Sequence, residues 1–205
     1  MRDETSPFLF KIVERSKNVG LLGGNFNPIH FAHLFIADQI QQRLNLDEVY
    51  LMPESQPPHV DKKETISATI RLKMLELATL DHPNIGIERI EIFRGGKSFT
   101  FDTVRLLKEL NPEVNYFFII GGDMVEYLPK WHRIDELVEM VQFVAVKRPN
   151  TASESPYPLI WVDLPEMDVS SSEIREMIAQ NIQPNFLLPK SVLDYIEENG
   201  LYSQE

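Results

Sequence analysis

Cysteine is absent from the 205 residues. That excludes a disulfide scaffold, a thiolate zinc site and a cysteine nucleophile, and it suits a reducing compartment. Positive charge is scarce. Twenty Lys and Arg against 31 Asp and Glu leave a net charge of −11, which argues against a general DNA or RNA binder. It does not argue against a small anionic substrate, which a local cluster of Lys, Arg, His and backbone N–H groups can hold on an acidic chain. No apolar run reaches the length needed to cross a bilayer. Met1–Pro7 has no basic segment leading into an apolar core, so it does not read as a secretion signal. The expectation is a soluble, cytoplasmic protein that binds neither nucleic acid nor membrane. A homo-oligomer is compatible with this composition. Two phosphate fingerprints are also missing, G-x-x-x-x-G-K-[ST] and G-x-G-x-x-G, which disfavours a P-loop NTPase and a Rossmann dehydrogenase.

What is present is an alternating pattern in a chain 43% hydrophobic. At about 150 residues per domain we expect one domain, residues 18–205, preceded by a loosely attached extension, residues 1–17. Val19–Leu22 reads as a buried strand stopped by Gly23-Gly24. Phe31 to about Leu44 reads as a helix, with Ile36, Ala37, Ile40 and Leu44 at helical spacing. Val49–Met52 is a second strand ended by Pro53, and Glu54–Thr65, with Pro57-Pro58, is a loop. Ser67 caps a helix running to about Leu80 with Ile70, Met74, Leu77 and Ala78 on one face. Ile85–Phe93 alternates like a strand with a break near Glu88-Arg89. Phe99–Leu110 is a helix and Asn115–Ile120 a strand ending in Gly121-Gly122-Asp123. A short helix, a helix over Ile134–Met140 and a strand over Val141–Val146 follow. After a loop over 150–158 come a strand at Leu159–Val162 and a helix opened by the capping box Ser170…Glu173. Pro189 suits the first turn of a last helix and Gly200 its end. Strands alternating with helices predict an α/β fold: a doubly wound, mostly parallel sheet with helices on both faces. Ligands bind such sheets at the carboxyl ends of the strands, where Gly23-Gly24, Pro53 and Gly121-Gly122 fall.

Four segments carry chemistry. In Gly23-Gly24-Asn25-Phe26-Asn27-Pro28-Ile29-His30-Phe31-Ala32-His33, glycines at a strand end admit a close ligand. His30 and His33, at i and i+3 where a helix starts, can aim at one anion. They can also satisfy backbone groups in a turn, or hold a metal, although no third ligand accompanies them, and no protein-held metal is expected. Ser170-Ser171-Ser172 with Arg175 suits a polyphosphate or is an ordinary capped helix start with a surface Arg. Trp131-His132-Arg133 can stack on a heteroaromatic ring beside an anion or pack in the core. Gly95-Gly96-Lys97-Ser98-Phe99-Thr100 can bind a carboxylate or phosphate, or is a plain turn and cap.

Taken together, G-G-x-F-x-P-x-H-x-x-H and S-S-S-x-I-R resemble the HxGH-type nucleotidyltransferases. Gln56-Pro57-Pro58-His59, Arg71-Leu72-Lys73-Met74-Leu75, Phe99–Thr103, Phe118–Asp123, Pro129–Arg133, Leu188-Pro189 and Gly200-Leu201-Tyr202 are similar to bacterial nicotinate-nucleotide adenylyltransferases over residues 18–203. The chain departs from that pattern at Ala32, where glycine is usual, at Asn25-Phe26-Asn27, where Thr-x-Asp is usual, and at Val60, where a basic residue often follows Pro-Pro-His, with Lys62 and Lys63 nearby.

The resemblance implies a Rossmann-like nucleotidyltransferase fold and transfer of AMP from ATP to nicotinate mononucleotide. It implies that Gly23, Gly24, Asn25, Phe26, His30 and His33 contact ATP. Ser171, Ser172 and Arg175 would lie at its phosphates, and Gly121 and Asp123 at the adenosine ribose. His30, His33 and Arg175 would act in catalysis as charge-stabilising donors. Trp131 would stack on the pyridine ring, Thr100 would read the carboxylate, and His59 would lie on the same substrate side. Mg²⁺ would be held mainly by the ATP phosphates. A sister transferase acting on pantetheine phosphate or another alcohol phosphate, a non-catalytic nucleotide sensor and a His-metal hydrolase are the competing readings.

Overall fold

The apolar run after Asn18 forms the central strand because every neighbour it needs is a strand of the same kind. β1 (Asn18–Gly24) pairs in parallel with β2 (Glu48–Pro53) on one side and with β4 (Asn115–Gly121) on the other. β3 (Ile85–Ile87) extends the β2 edge, and β5 (Gln142–Val146) and β6 (Leu159–Val162) extend the β4 edge, all parallel. The order β3-β2-β1-β4-β5-β6 is that of a doubly wound sheet, and it reverses between β1 and β4, where such folds bind ligands. This is the sheet that the alternating pattern predicts. The computed structural model describes residues 16–56, 66–147 and 154–203.

Neighbouring residues of each strand feed opposite cores, because side chains alternate across a strand. Leu22 and Ile119 pack with α1 (Phe31–Arg43), α2 (Ala68–Thr79), α6 (Ser171–Ala179) and α7 (Lys190–Glu198). Val19, Leu21, Phe118 and Ile120 pack with α4 (Thr100–Leu110), a 3₁₀ helix at Gly122–Lys130 and α5 (Ile134–Leu137). Both faces are therefore covered, as parallel sheets require. Lys17, placed by the sequence in the extension, already joins the sheet: its carbonyl accepts from the Asn115 N–H at 2.8 Å.

Three expectations need correction. The strand expected over Ile85–Phe93 stops at Ile87, and Ile90–Arg94 is a helical turn, α3. The Glu88 carboxylate accepts from the Ile90 N–H at 2.9 Å, a side-chain partner that favours a helix start over continued sheet, and Gly95 at φ 69° ends the turn. The expected face of α2 is shifted rather than replaced: Met74 and Ala78 are buried with Arg71 and Leu75, while Ile70 and Leu77 pack half-buried at the margin of the same core. Pro189 stands one residue before α7 rather than inside its first turn, while Gly200, at φ 58°, follows its end. Smaller boundary shifts trim α1 at Arg43, start α4 at Thr100 and end α5 at Leu137.

Gly20 lies at the centre of β1, and an added Cβ there would meet Val49 Cγ2 at 2.8 Å, Leu46 Cδ1 at 3.1 Å and Ile119 Cδ1 at 3.2 Å. Gly20→Ala is expected to destabilise the fold by about 1–3 kcal/mol, the usual cost of overpacking, read as a lower urea midpoint at unchanged slope.

Candidate active site

The loop between β1 and α1 is built on a close contact. A Cβ on Gly24 would stand 3.1 Å from Cζ of Phe26, so the glycine lets the phenyl ring fold back over the strand end. Phe26 itself adopts φ 49°, a left-handed conformation uncommon for a large side chain and found at functional turns. The chain then passes a cis Asn27–Pro28 peptide and reaches His30, the extended residue that caps α1. His33, one turn in, stacks on His30 with ring centroids 3.7 Å apart, and its other side meets the edge of Phe26 at 4.9 Å. Nδ1 of His33 accepts from the His30 N–H over a long 3.4 Å. A neutral imidazole accepting at Nδ1 carries its proton on Nε2, which makes His33 a donor on its far side.

Residues almost 150 positions downstream complete this loop. Ser170 caps α6 by accepting from the Glu173 N–H at 3.1 Å. Ser171 Oγ donates to the Pro28 carbonyl at 2.8 Å. Arg175 Nη1 donates to the Asn27 carbonyl at 2.8 Å, and Nη2 to Ser172 Oγ at 3.2 Å. The paired histidines and the serine–arginine turn thus converge, placing the N-termini of α1 and α6 side by side. The sequence did not single out Tyr202 for the same loop. Its hydroxyl donates to Asn27 Oδ1 at 2.7 Å. Burial pushes its pKa up, with Arg175 and Arg71 offsetting part of the rise, so the phenol keeps the proton it donates.

The β1–β4 ladder ends at Leu22↔Ile119, and both strands run two residues further, to Gly24 and Gly121. Asp123 follows in the first turn of the 3₁₀ helix, exposed. A cavity of about 140 Å³ opens between the start of α1 and the ends of β5 and β6, with Ala32, Phe35, Ile36, Val146, Leu164 and Val169 in its walls. The sequence analysis missed it, although Ala32 lies between the two histidines.

The other half of the site lies beyond β2. Ser55 N–H donates to Ser98 Oγ at 2.9 Å and Ser98 N–H to the Gln56 carbonyl at 3.2 Å. Gly95 and Gly96, at φ 69° and 72°, make the turn that brings Lys97 and Ser98 there. Thr100 opens α4 directly afterwards. The segment after the 3₁₀ helix meets this helix start through rings: Phe99 and His132 lie 4.9 Å apart, and the Arg133 guanidinium sits 3.8 Å from the Phe101 ring. Trp131 is half-buried, its ring set edgewise to Phe118 at 5.8 Å and Phe143 at 6.0 Å. Thr100 and Trp131 are therefore brought to one region, with the indole anchored in the core. His59, Val60, Lys62 and Lys63 lie outside the described residues.

Between the two halves sits a buried charge cluster. Arg71 is 1% exposed and Glu91 2% exposed. Glu91 Oε1 accepts from Thr103 Oγ1 at 2.7 Å, while Oε2 has no hydrogen-bond partner. Burial and the nearby Glu91 push the Glu54 carboxyl up to about 7, against the opposing pull of Arg71. The unfolded carboxyl loses its proton near 4.5. Between these values the folded chain holds the extra proton, so this contribution is complete at low pH and disappears as pH rises through 7. Glu54→Gln is accordingly expected to be more stable than the parent at pH 8, by about 1–2 kcal/mol, and to match it near pH 5. Urea unfolding across that range reads the difference.

The chain is similar to known proteins along most of its length. The cytidylyltransferase-like family model matches residues 21–177. The probable nicotinate-nucleotide adenylyltransferase of Lactococcus lactis is 60% identical over 92% of this chain and 96% of that protein. The similarly described protein of Streptococcus mutans is 62% identical over 91% and 89%. A solved structure, nicotinic acid mononucleotide adenylyltransferase of Plasmodium falciparum complexed with NaAD, has the same fold. Its TM-score is 0.76 at 22% identity, over 91% of this chain and 97% of that one. Such identity along nearly the whole chain means that the protein belongs to the nicotinate-nucleotide adenylyltransferase family, within the cytidylyltransferase-like fold family.

Proposed function

We propose that the chain transfers the adenylyl group of ATP to nicotinate mononucleotide, giving nicotinate adenine dinucleotide and pyrophosphate. A 5′-phosphate oxygen of the mononucleotide attacks the α-phosphorus, and the bond to the β-phosphate bridging oxygen breaks. The substrate brings its own nucleophile, so the protein has to align two polyanions and stabilise charge on the transferring group and the leaving pyrophosphate. The observation that carries this reading is the meeting of the α1 and α6 N-termini through Ser171–Pro28 and Arg175–Asn27. Two helix starts facing one space make an anion site out of main-chain N–H groups.

Gly23, Gly24, Asn25 and Phe26 then border the triphosphate. His30 and His33 meet it at the head of α1, with His33 donating from Nε2. Ser171, Ser172 and Arg175 meet it from α6, the guanidinium offering phosphate oxygen the N–H donors that the Asn27 carbonyl does not take. The cavity between α1 and the ends of β5 and β6, with apolar walls at Ala32, Phe35 and Ile36 and polar ones at Lys147, Asp168 and Ser170, takes the adenine, and Gly121 and Asp123 face its ribose. Trp131 lies against the pyridine ring. Thr100 at the α4 N-terminus reads the carboxylate, and the family resemblance assigns His59, outside the described residues, to the same substrate. Among the described residues no three His, Cys, Asp or Glu gather into a metal cage. We assign Mg²⁺ mainly to phosphate oxygens, where it would supply further positive charge. Among the described residues no helix is long and apolar enough to cross a membrane, and we place the reaction in the cytoplasm.

The function is tested by pyrophosphate release from ATP and Mg²⁺ with the acid or the amide mononucleotide. The acid is expected to turn over faster, and His33→Ala to lower that turnover about a hundredfold or more, the effect of losing one charge-stabilising donor. An unchanged turnover number contradicts the donor role. Arg175→Ala is expected to act chiefly on the ATP dependence, raising KM for ATP, so a normal ATP saturation curve counts against the α6 half of the site.

A further inference from the structure

Arg71 is the one arginine on the buried face of α2, and its two Nη donors go to main-chain carbonyls on different walls of the cleft. Nη1 donates to Asn25 O at 2.7 Å and Nη2 to Glu54 O at 2.6 Å. Its Nε is buried with no hydrogen-bond partner. A guanidinium desolvated in this way is costly, and an apolar side chain of similar volume would serve packing as well or better. The planar fork, by contrast, can fix two acceptors at once, which neither an apolar residue nor a lysine can do.

Each carbonyl it holds sets the direction of an N–H, because the two groups of a trans peptide point opposite ways. Engaging Asn25 O toward α2 turns the Phe26 N–H the other way. Engaging Glu54 O turns the Ser55 N–H toward Ser98 Oγ, at 2.9 Å, two residues before the start of α4. A second tie runs between the same strand ends, Glu54 N–H donating to Gly24 O at 3.1 Å. One side chain thus sets the position of the nucleotide-side loop, through Asn25, relative to the acceptor-side segment that leads through Ser55 and Ser98 to Thr100.

We propose that Arg71 is a positioning residue for adenylyl transfer, holding the ATP loop and the acceptor wall at the separation the reaction needs without touching either substrate. The inference rests on the adenylyltransferase reading above. Loss of the fork leaves each half able to bind its own ligand while their mutual alignment is lost. The effect then falls on kcat more than on either KM.

The test compares wild type with Arg71→Lys, which keeps the charge and stem but reaches one carbonyl at a time, and Arg71→Met, which keeps the stem alone. Melting is followed by circular dichroism, and kcat and both KM values by pyrophosphate release. Arg71→Lys is expected to melt as a folded protein and to lose about a hundredfold in kcat, the scale of a 1 Å misalignment, with each KM within about threefold of wild type. Arg71→Met is expected to show the same kcat loss with lower stability, and millimolar methylguanidinium to restore part of its turnover. A folded Arg71→Lys or Arg71→Met with wild-type kcat overturns the proposal. So does a loss of activity that only follows the unfolded fraction, including the case in which neither variant folds. If wild type itself releases no pyrophosphate from ATP and nicotinate mononucleotide, the function fails rather than the role of Arg71.

Discussion

The site depends on where three carbonyls of one short loop are held. Those of Asn25, Asn27 and Pro28 are taken by Arg71, Arg175 and Ser171, and Tyr202 holds the Asn27 side chain. A loop whose acceptors are engaged on its protein side can present donors on the other. On the proposed reading, that is how a chain of net charge −11 holds a polyanion, because main-chain dipoles and helix starts set the local potential whatever the overall charge. The two arginines reach the loop from different helices of the same core, Arg71 from α2 and Arg175 from α6. Any displacement of either helix is felt at the head of α1.

The sheet makes this possible. With β1 central and the order reversing between β1 and β4, the loops after these two strands diverge to opposite faces and leave a crevice. The loop after β1 runs toward α1 and α6, and the loop after β4 into the 3₁₀ helix that ends at Trp131. The Glu54–Gln56 segment links across to Ser98 at the far wall. The walls meet through one main-chain bond, Glu54 N–H to Gly24 O, and through the Arg71 fork on Asn25 O and Glu54 O, so a single buried side chain bears on their spacing.

Much of this was legible in the sequence. Apolar runs closed by glycine or proline located β1, β2 and β4 and their site-bearing ends, and the Ser170 cap marked the start of α6. The stacked histidines followed from i, i+3 spacing at a helix start. What the sequence concealed was placed by tertiary contact. Arg71 occupies an inward helical position next to Met74 and Leu75, and reading α2 as an apolar stripe through Ile70 and Leu77 hides it. A charged residue at i of an i, i+3, i+4, i+7 buried set was the available signal. The alternation over Ile85–Ile92 misled because two isoleucines of a helical turn mimic a strand when the window is short. Tyr202 donates to Asn27 from 175 positions away, and no local pattern encodes such a pairing.

That span has a consequence for biosynthesis. The histidine loop leaves the ribosome well before three of the groups that fasten it, Ser171, Arg175 and Tyr202, whose partners in the loop lie 143, 148 and 175 positions upstream. Chains are made from the N-terminus at about 5–20 residues per second. A nascent chain therefore carries its imidazoles for seconds before these anchors exist, and the loop takes its fastened form only once α6 and the segment bearing Tyr202 have docked.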